Sequence, residues 1–295
     1  MNDVKNNWFQ LAFKIEGSVI PSILTRVLFC TIIAFLISIF DHFKLPIQWS
    51  MFGSIVPNVI SNLVLGLLLV FRTNTAYERF WEGRKEWGMI IFNVRNLARQ
   101  IQVYLTAKSP EDIQAKNAIM RLLVAFAIAT RLHLRNQAVN QELETLMTEE
   151  QFNKLKSVNL PPLEISLWIG NYLKEKYEQN NLTMDHLTNM DTLLDNMVSA
   201  LTGCERIAYT PMPVAYAIHL KQLLLLYCLS LPFQIVNDLH WYSAPIVGLI
   251  SFTLLGIEEI GNEIENPFDG DANDLPLDEI CHTLSQNVED LIKSS

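Results

Sequence analysis

The sequence predicts an all-α integral membrane protein: four transmembrane helices that continue into a cytosolic helical bundle. Three observations carry this. Residues 52–71 form an uninterrupted run without a charged side chain, and Arg72 follows at once. Half of the 295 residues are apolar and only 18% are charged, where a soluble domain carries about 25% charge. In the middle of the chain, apolar residues recur at three- and four-residue spacing with polar faces between them, and no stretch alternates as a strand does.

The elements follow in chain order. Asp3, Lys5 and Lys14 precede any long apolar run, which is a poor signal peptide, so the first span must act as the insertion signal. That span is predicted at about 22–40 and contains Arg26 near its start. The second, at 52–71, is long enough for a bilayer, since ~20 helical residues at ~1.5 Å each cover ~30 Å of hydrocarbon. The third is expected at about 214–234, interrupted by Lys221, and the fourth at about 241–257. Arg26 and Lys221 each need a partner, water or an escape to the interface. The linkers 41–50 and 235–240 are short, so each pair of spans is a helical hairpin.

Orientation comes from the basic residues. Lys14 and Arg26 flank the first span, and Arg72, Arg79, Arg84, Lys85, Arg95 and Arg99 follow the second, mixed with Phe80, Trp81 and Trp87. The hairpin loops contain only Lys44. Basic flanks and aromatic belts of this kind place both termini and the whole region 72–212 in the cytoplasm. Within that region helices are predicted at 87–106, 117–135, 165–179 and 184–207. Ser109-Pro-Glu-Asp and Leu160-Pro-Pro-Leu163 act as breaks. No repeat or low-complexity linker interrupts the chain, so 1–295 reads as a single domain. From 258 to 295 the chain is strongly acidic, with Lys293 its only base. This stretch reads either as a solvated cytosolic tail or as an electronegative rim able to hold a cation.

Several function classes are disfavoured. A net charge of −9 argues against nucleic acid. The four cysteines form no CxxC pair and read as buried free thiols. There is no GxSxG elbow, P-loop, GxGxxG or HExxH. His219 and Lys221 are the only acid–base candidates in the third span. Asp269, Asp271 and Asn273 alternate like the start of a calcium loop. The sixth and twelfth positions are Asp274 and Ile280, however, where an EF-hand needs Gly and Glu. On the second span Leu63, Leu67 and Phe71 fall on one helical stripe, and Ser54, Asn58 and Asn62 make a polar stripe beside it. Gly66 would allow close helix approach. Spacing alone does not single out a pore lining, because any helix this apolar contains such a triad.

Three motifs then narrow the reading: Phe71-Arg-Thr-Asn-Thr-Ala-Tyr-Glu-Arg-Phe-Trp-Glu-Gly-Arg-Lys-Glu-Trp-Gly88; Gly203-Cys-Glu-Arg-Ile207 with Thr210-Pro-Met-Pro213; and Glu265-Asn-Pro-Phe268 with Asn273-Asp-Leu-Pro-Leu277. In order and spacing they resemble the bestrophin family, most closely its bacterial and plant thylakoid branch, over nearly the whole chain. The resemblance implies a homopentamer of four-span subunits around one pore that conducts ions passively. It places the narrow neck on Leu63, Leu67 and Phe71. It places a second, cytosolic aperture at or near Asp185, with Met184 and Leu187 beside it. An acid at the aperture departs from the family's usual apolar residue. In animal members the Asn-Pro-Phe element precedes an unbroken acidic run that holds calcium. Here Asp269, Asp271 and Asp274 are interrupted by Gly270, Ala272 and Asn273, so any calcium site rests on these three residues, and no other cofactor is implied. Asn266-Pro267-Phe268 is expected to end the fourth span's helix and dock the acidic tail.

The expected function is a chloride-conducting anion channel. Its expected partners are its own copies, the bilayer and monovalent ions, and no nucleic acid. Its expected place is the inner (plasma) membrane, or the thylakoid of a photosynthetic source. A sodium or potassium channel of the same fold, with Asp185 as a selecting ring, is the alternative. A transporter or membrane enzyme is more remote, since no inverted repeat is visible.

Overall fold

A computed structural model describes residues 8–43 and 59–294, with the side chains of 59–61 left out of account. Among the described residues every regular element is a helix: α1 (Trp8–Ala12), α2 (Ile20–His42), α3 (Val59–Tyr104), α4 (Pro110–Leu134), α5 (Gln141–Glu144), α6 (Glu149–Leu155), α7 (Pro161–Glu178), α8 (Met184–Tyr209), α9 (Val214–Leu239), a 3-10 turn (His240–Tyr242), α10 (Ser243–Glu263) and α11 (Leu277–Lys293). The chain divides into two compact units. One comprises 1–78 with 211–265, the other 79–210 with 266–295. The helix α3 contributes to both.

That helix is the longest element, with 46 residues, or ~70 Å at ~1.5 Å per residue. The second half of the predicted span and the Arg-rich motif after it are therefore one uninterrupted helix; residues 52–58 lie outside the described residues. Its buried positions explain the continuity. Leu65, Leu69, Arg72 and Ala76, then Gly83, Trp87, Ile90, Val94, Leu97 and Ile101, follow one another in steps of four and three. A seam of this period keeps one face inward along the whole length. At the C-terminal end, Lys116 donates to the carbonyls of Gln102 and Leu105, both at 3.1 Å, and so satisfies acceptors that the last turn leaves open.

In the first unit, α2, α9 and α10 form the apolar scaffold. α2 and the run Val214–Glu263 are each long and apolar enough to cross a membrane. The helices extend beyond the predicted spans: α9 runs to Leu239, so most of the supposed linker 235–240 is helical. The hairpin closes in one tight turn, with His240 at φ 43°. Ser38 and Ser243 share a 2.6 Å hydrogen bond there, and His240 meets Asp41 at 3.0 Å. These contacts tie the end of α2 to the turn.

The second unit is a helical bundle around α4. This helix is also apolar enough to span a bilayer, yet 78% of its apolar window is buried by protein, against 28% for α2. A helix that is apolar all round belongs inside something, and here α3, α7, α8 and α11 enclose it. Its predicted polar face is occupied: Arg131 pairs with Glu142 and Asp278, and Lys116 caps α3. The two breaks read from the sequence, at Ser109-Pro110 and Leu160-Pro161, are helix N-termini, and side-chain caps open several helices of this unit. Ser109 accepts from the Asp112 N–H at 3.2 Å, ahead of Pro110; Thr148 makes a capping box with Gln151; and Thr183 accepts from the His186 N–H at 3.3 Å.

The acidic stretch after 258 differs most from a solvated tail. Glu258 is buried, and Leu277, Cys281, Leu284 and Val288 bury one face of α11. Asp278, Glu279 and Asp290 stay on its exposed face. The acids therefore mark the wet side of an amphipathic helix rather than a free chain. All four cysteines are free and buried. Burial pushes the Cys281 thiol up to about 12 and raises that of Cys204 further, so both stay protonated and unreactive.

One buried charge organises the first unit. Arg72 is 2% exposed. It donates to Glu265 at 2.6 Å, to Asn262 at 3.0 Å and to the Met212 sulfur at 2.9 Å. The second oxygen of Glu265 accepts the Met212 N–H at 2.8 Å, and the Tyr216 hydroxyl donates to the Leu68 carbonyl at 2.9 Å. Arg72→Met should lower stability by about 3–5 kcal/mol, because it removes the cation paired with a largely buried carboxylate. Arg72→Met with Glu265→Leu should recover part of the loss. Thermal unfolding in detergent measures both, and an Arg72→Met protein as stable as wild type would mean that the pair holds nothing. In the second unit, a Cβ at Gly83 would lie 2.6 Å from Pro267 Cγ and 3.1 Å from the Phe268 ring. Gly83→Ala is therefore expected to cost about 1–3 kcal/mol by overpacking, read in the same experiment. An unchanged midpoint would show that Asn266-Pro267-Phe268 is not docked on α3.

Candidate pore-lining site

On α3 the seam that buries Leu65 (6% exposed), Leu69 and Arg72 leaves large apolar side chains on the other side. Leu63, Leu67 and Phe71 are 62%, 46% and 61% exposed. Leu63 and Leu67 stand opposite the buried face, and Val70 and Phe71 straddle the same line one turn on. Spacing could not separate this stripe from its neighbours, and burial narrows it only in part: Leu65 and Leu69 face α3's own unit, whereas Val64 (47% exposed) and Val70 (62% exposed) are as open as the stripe. Asn62 is exposed beside Leu63; Ser54 and Asn58 lie outside the described residues.

Below the stripe the three sequence motifs meet. Arg79 donates to the carbonyls of Ile207 and Thr210 at the end of α8. Arg206 pairs with Glu82, and Glu86 lies over Gly203, where a Cβ would come within 2.5 Å of its carboxyl carbon. Pro267 and Phe268 pack on Gly83, with Phe268 fully buried. Arg135 donates to the Phe268 carbonyl at 3.0 Å and meets Asp278 at 2.9 Å.

The residues expected at the aperture lie in the first turn of α8. Met184 is 60% exposed, Asp185 is exposed, and Leu187 is half-buried against the core of the second unit. His186 stacks on Tyr104 with ring centroids 4.0 Å apart. Asp185 stands two residues after the Thr183 cap, where the partial positive charge of a helix N-terminus favours a carboxylate.

Asp269, Asp271 and Asp274 do not converge as calcium ligands. Asp274 accepts the N–H groups of Gly270 (2.7 Å) and Asp271 (2.8 Å), and Asn266 donates to Asp269. Gly270, at φ 100°, supplies the left-handed backbone of this turn. Burial raises the Asp274 carboxyl above the usual carboxylate range. Among the described residues no group of His, Cys, Asp or Glu is arranged to hold a metal. Calcium needs six or more oxygens around one point, and this capped turn does not fit it.

The cations of the spans have partners that the sequence reading missed. Arg26 lies 3.5 Å from Glu258 and 2.9 Å from Glu259, and Lys221 lies 3.8 Å from Glu258. Asn262 donates to Glu258 at 2.8 Å. Charge balance could have found Glu258: two unpaired cations on two spans call for an acid on the span that packs beside them.

Comparison with known proteins agrees with this arrangement. The family profile described as bacterial/fungal bestrophin protein matches residues 1–290. The voltage-dependent anion channel-forming protein alr2987 of Nostoc sp. is 54% identical over 295 residues, covering 100% of this chain and 95% of that protein. The voltage-dependent anion channel-forming protein YneE of Escherichia coli K12 is 33% identical over 283 residues, covering 95% and 90%. The crystal structure of a bacterial bestrophin homologue from Klebsiella pneumoniae superposes with a TM-score of 0.81 at 31% identity, covering 92% and 98% of the two chains. The all-helical fold, the membrane-length apolar helices and these matches have one conclusion: the chain is a membrane protein of the bestrophin family.

Proposed function

We propose that this protein is a homopentameric channel that conducts anions, chiefly chloride, through an apolar neck formed by Leu63, Leu67 and Phe71. The observation that carries the proposal is the exposed apolar stripe on α3, on a helix whose other face is fully used. The printed names of the relatives, anion channel-forming proteins, point the same way. A ring of Leu and Phe side chains offers a dehydrated ion no partner, so passage depends on diameter and wetting. Ring edges of Phe71 present partial positive charge, which favours anions. The second constriction is the first turn of α8. Met184 and Asp185 are exposed there, so Asp185 contributes one carboxylate per subunit to the cytosolic entrance. Both termini face the cytoplasm, and the membrane is the inner (plasma) membrane, or a thylakoid in a photosynthetic cell.

Two glycines of α3 support assembly around this helix. A Cβ at Gly66 or Gly88 would meet nothing within 4 Å, yet a mid-helix glycine costs roughly 0.5–1 kcal/mol relative to alanine. Close approach of a neighbouring subunit accounts for both, and one repeated head-to-tail contact closes a ring.

Simultaneous Leu63→Ala, Leu67→Ala and Phe71→Ala substitution should widen and wet the neck, raising single-channel conductance or open probability in a planar bilayer. Wild-type currents from the triple variant would assign the lining to the wrong residues. Mass measurement of the detergent-solubilised protein should give five subunits; a monomer or dimer would contradict the ring. Asp185→Asn should raise the permeability of chloride relative to potassium, because an ionised ring at the entrance repels anions. An unchanged reversal potential across pH would place Asp185 away from the ion path.

A further inference from the structure

The first unit contains a cavity of about 420 Å³ between α2, α9 and α10, within the roughly 300–1,000 Å³ typical of ligand sites. Its wall is apolar: Phe29, Leu224, Leu225 and Leu255 line it, and Phe29 (52% exposed) and Leu225 (49% exposed) leave one side of it open. Its polar lining is concentrated at one end, where Arg26, Lys221 and Glu258 meet.

The geometry at that end leaves donors available. Glu258 is 2% exposed, and Asn262 donates to it at 2.8 Å. The Lys221 ammonium stands 3.8 Å away and one Arg26 nitrogen 3.5 Å away, both longer than the ~2.7–2.9 Å of a charge-assisted hydrogen bond. The two cations flank the buried carboxylate, and each remains about half exposed; Arg26 also donates to Glu259 at 2.9 Å and to the Ser22 carbonyl at 3.2 Å, so Lys221 is the loosely paired one. An ammonium carries three donors and a guanidinium five. Glu259 offsets the single positive charge of Arg26, Lys221 and Glu258, so what this end offers an anion is the Lys221 ammonium and the spare Arg26 donors rather than a net charge.

We infer that this cavity binds an anionic phospholipid, with the phosphate of its headgroup bridging Arg26 and Lys221 and an acyl chain lying between Phe29 and Leu225. The loosely paired Lys221 ammonium and the spare donors of Arg26 select the phosphate, and the apolar, open-sided slot selects the chain. The inference requires α2, α9 and α10 to lie in the bilayer and is independent of the ion that the channel conducts.

The test is native mass spectrometry of the full-length channel in detergent, titrated with palmitoyl-oleoyl phosphatidylglycerol or with the matching phosphatidylcholine. Wild type should retain up to one phosphatidylglycerol per subunit, about tenfold in preference to phosphatidylcholine, whose choline cation would lie beside Arg26 and Lys221. Lys221→Gln, at a half-exposed position, should erase the preference, and Lys221→Arg should keep it. Leu225→Trp should fill the slot and abolish retention of both lipids while the oligomer persists. Equal preference in wild type and Lys221→Gln, or undiminished retention in Leu225→Trp, overturns the site. Dissociation of the oligomer by Leu225→Trp also overturns it, because the cavity would then be filled by a second copy of the chain. Pentamer mass and ion currents are read separately, so failure of the lipid site and failure of the channel reading are distinguishable.

Discussion

The architecture of the first unit turns on a charge that has no business being buried unless everything around it is in place. Arg72 sits on the inward seam of α3, almost wholly out of water. A guanidinium there is tolerable only with its donors filled. Filling them requires Glu265 just beyond α10, Asn262 within it and Met212 ahead of α9. The Arg72–Glu265 pair therefore fixes where α10 ends and where the chain enters α9. Its significance is geometric rather than energetic: a buried pair is weak evidence for net stability but strong evidence for a required arrangement.

With its inward seam committed, α3 has an outward face free for another use. The same helix contributes Leu65 and Leu69 to its own unit and offers Leu63, Leu67 and Phe71 outward. Large apolar side chains are exposed on α2 as well, among them Phe29, Ile32 and Phe35, so what distinguishes α3 is that one helix supplies both an apolar outward face and a buried charge. The glycines divide in the same way. Gly83 and Gly203 are needed inside the chain, where Pro267, Phe268 and Glu86 crowd them. Gly66 and Gly88 are not needed there.

Much of this was legible in the sequence. Helix breaks at Ser109-Pro110 and Leu160-Pro161 were readable because capping and proline chemistry are local. The spans were readable because hydrocarbon selects long apolar runs, although their ends were placed short: a helix continues until a turn stops it, and in α9 the stop is the 3-10 turn at His240. The role of α4 was not legible. Its composition suits both a buried core helix and a membrane span, and only the helices packed around it decide. The acidic C-terminal stretch misled because charge count dominated the pattern of Leu277, Cys281, Leu284 and Val288, which has helical period. Of the candidate site, exposure alone does not set Leu63, Leu67 and Phe71 apart from Val64 and Val70, and Asp185 stands in the turn behind the Thr183 cap, where a carboxylate is favoured. The carboxylates near Asp269 looked like ligands in sequence but serve a turn, a distinction that lies in backbone N–H directions and not in residue type.

The most direct test of the account is the reversal potential of the purified wild-type protein in a planar bilayer under asymmetric potassium chloride. An apolar neck that passes anions predicts a current reversing near the chloride equilibrium potential. Reversal near the potassium equilibrium potential would contradict anion selectivity, and the absence of any current from correctly assembled protein would contradict the pore.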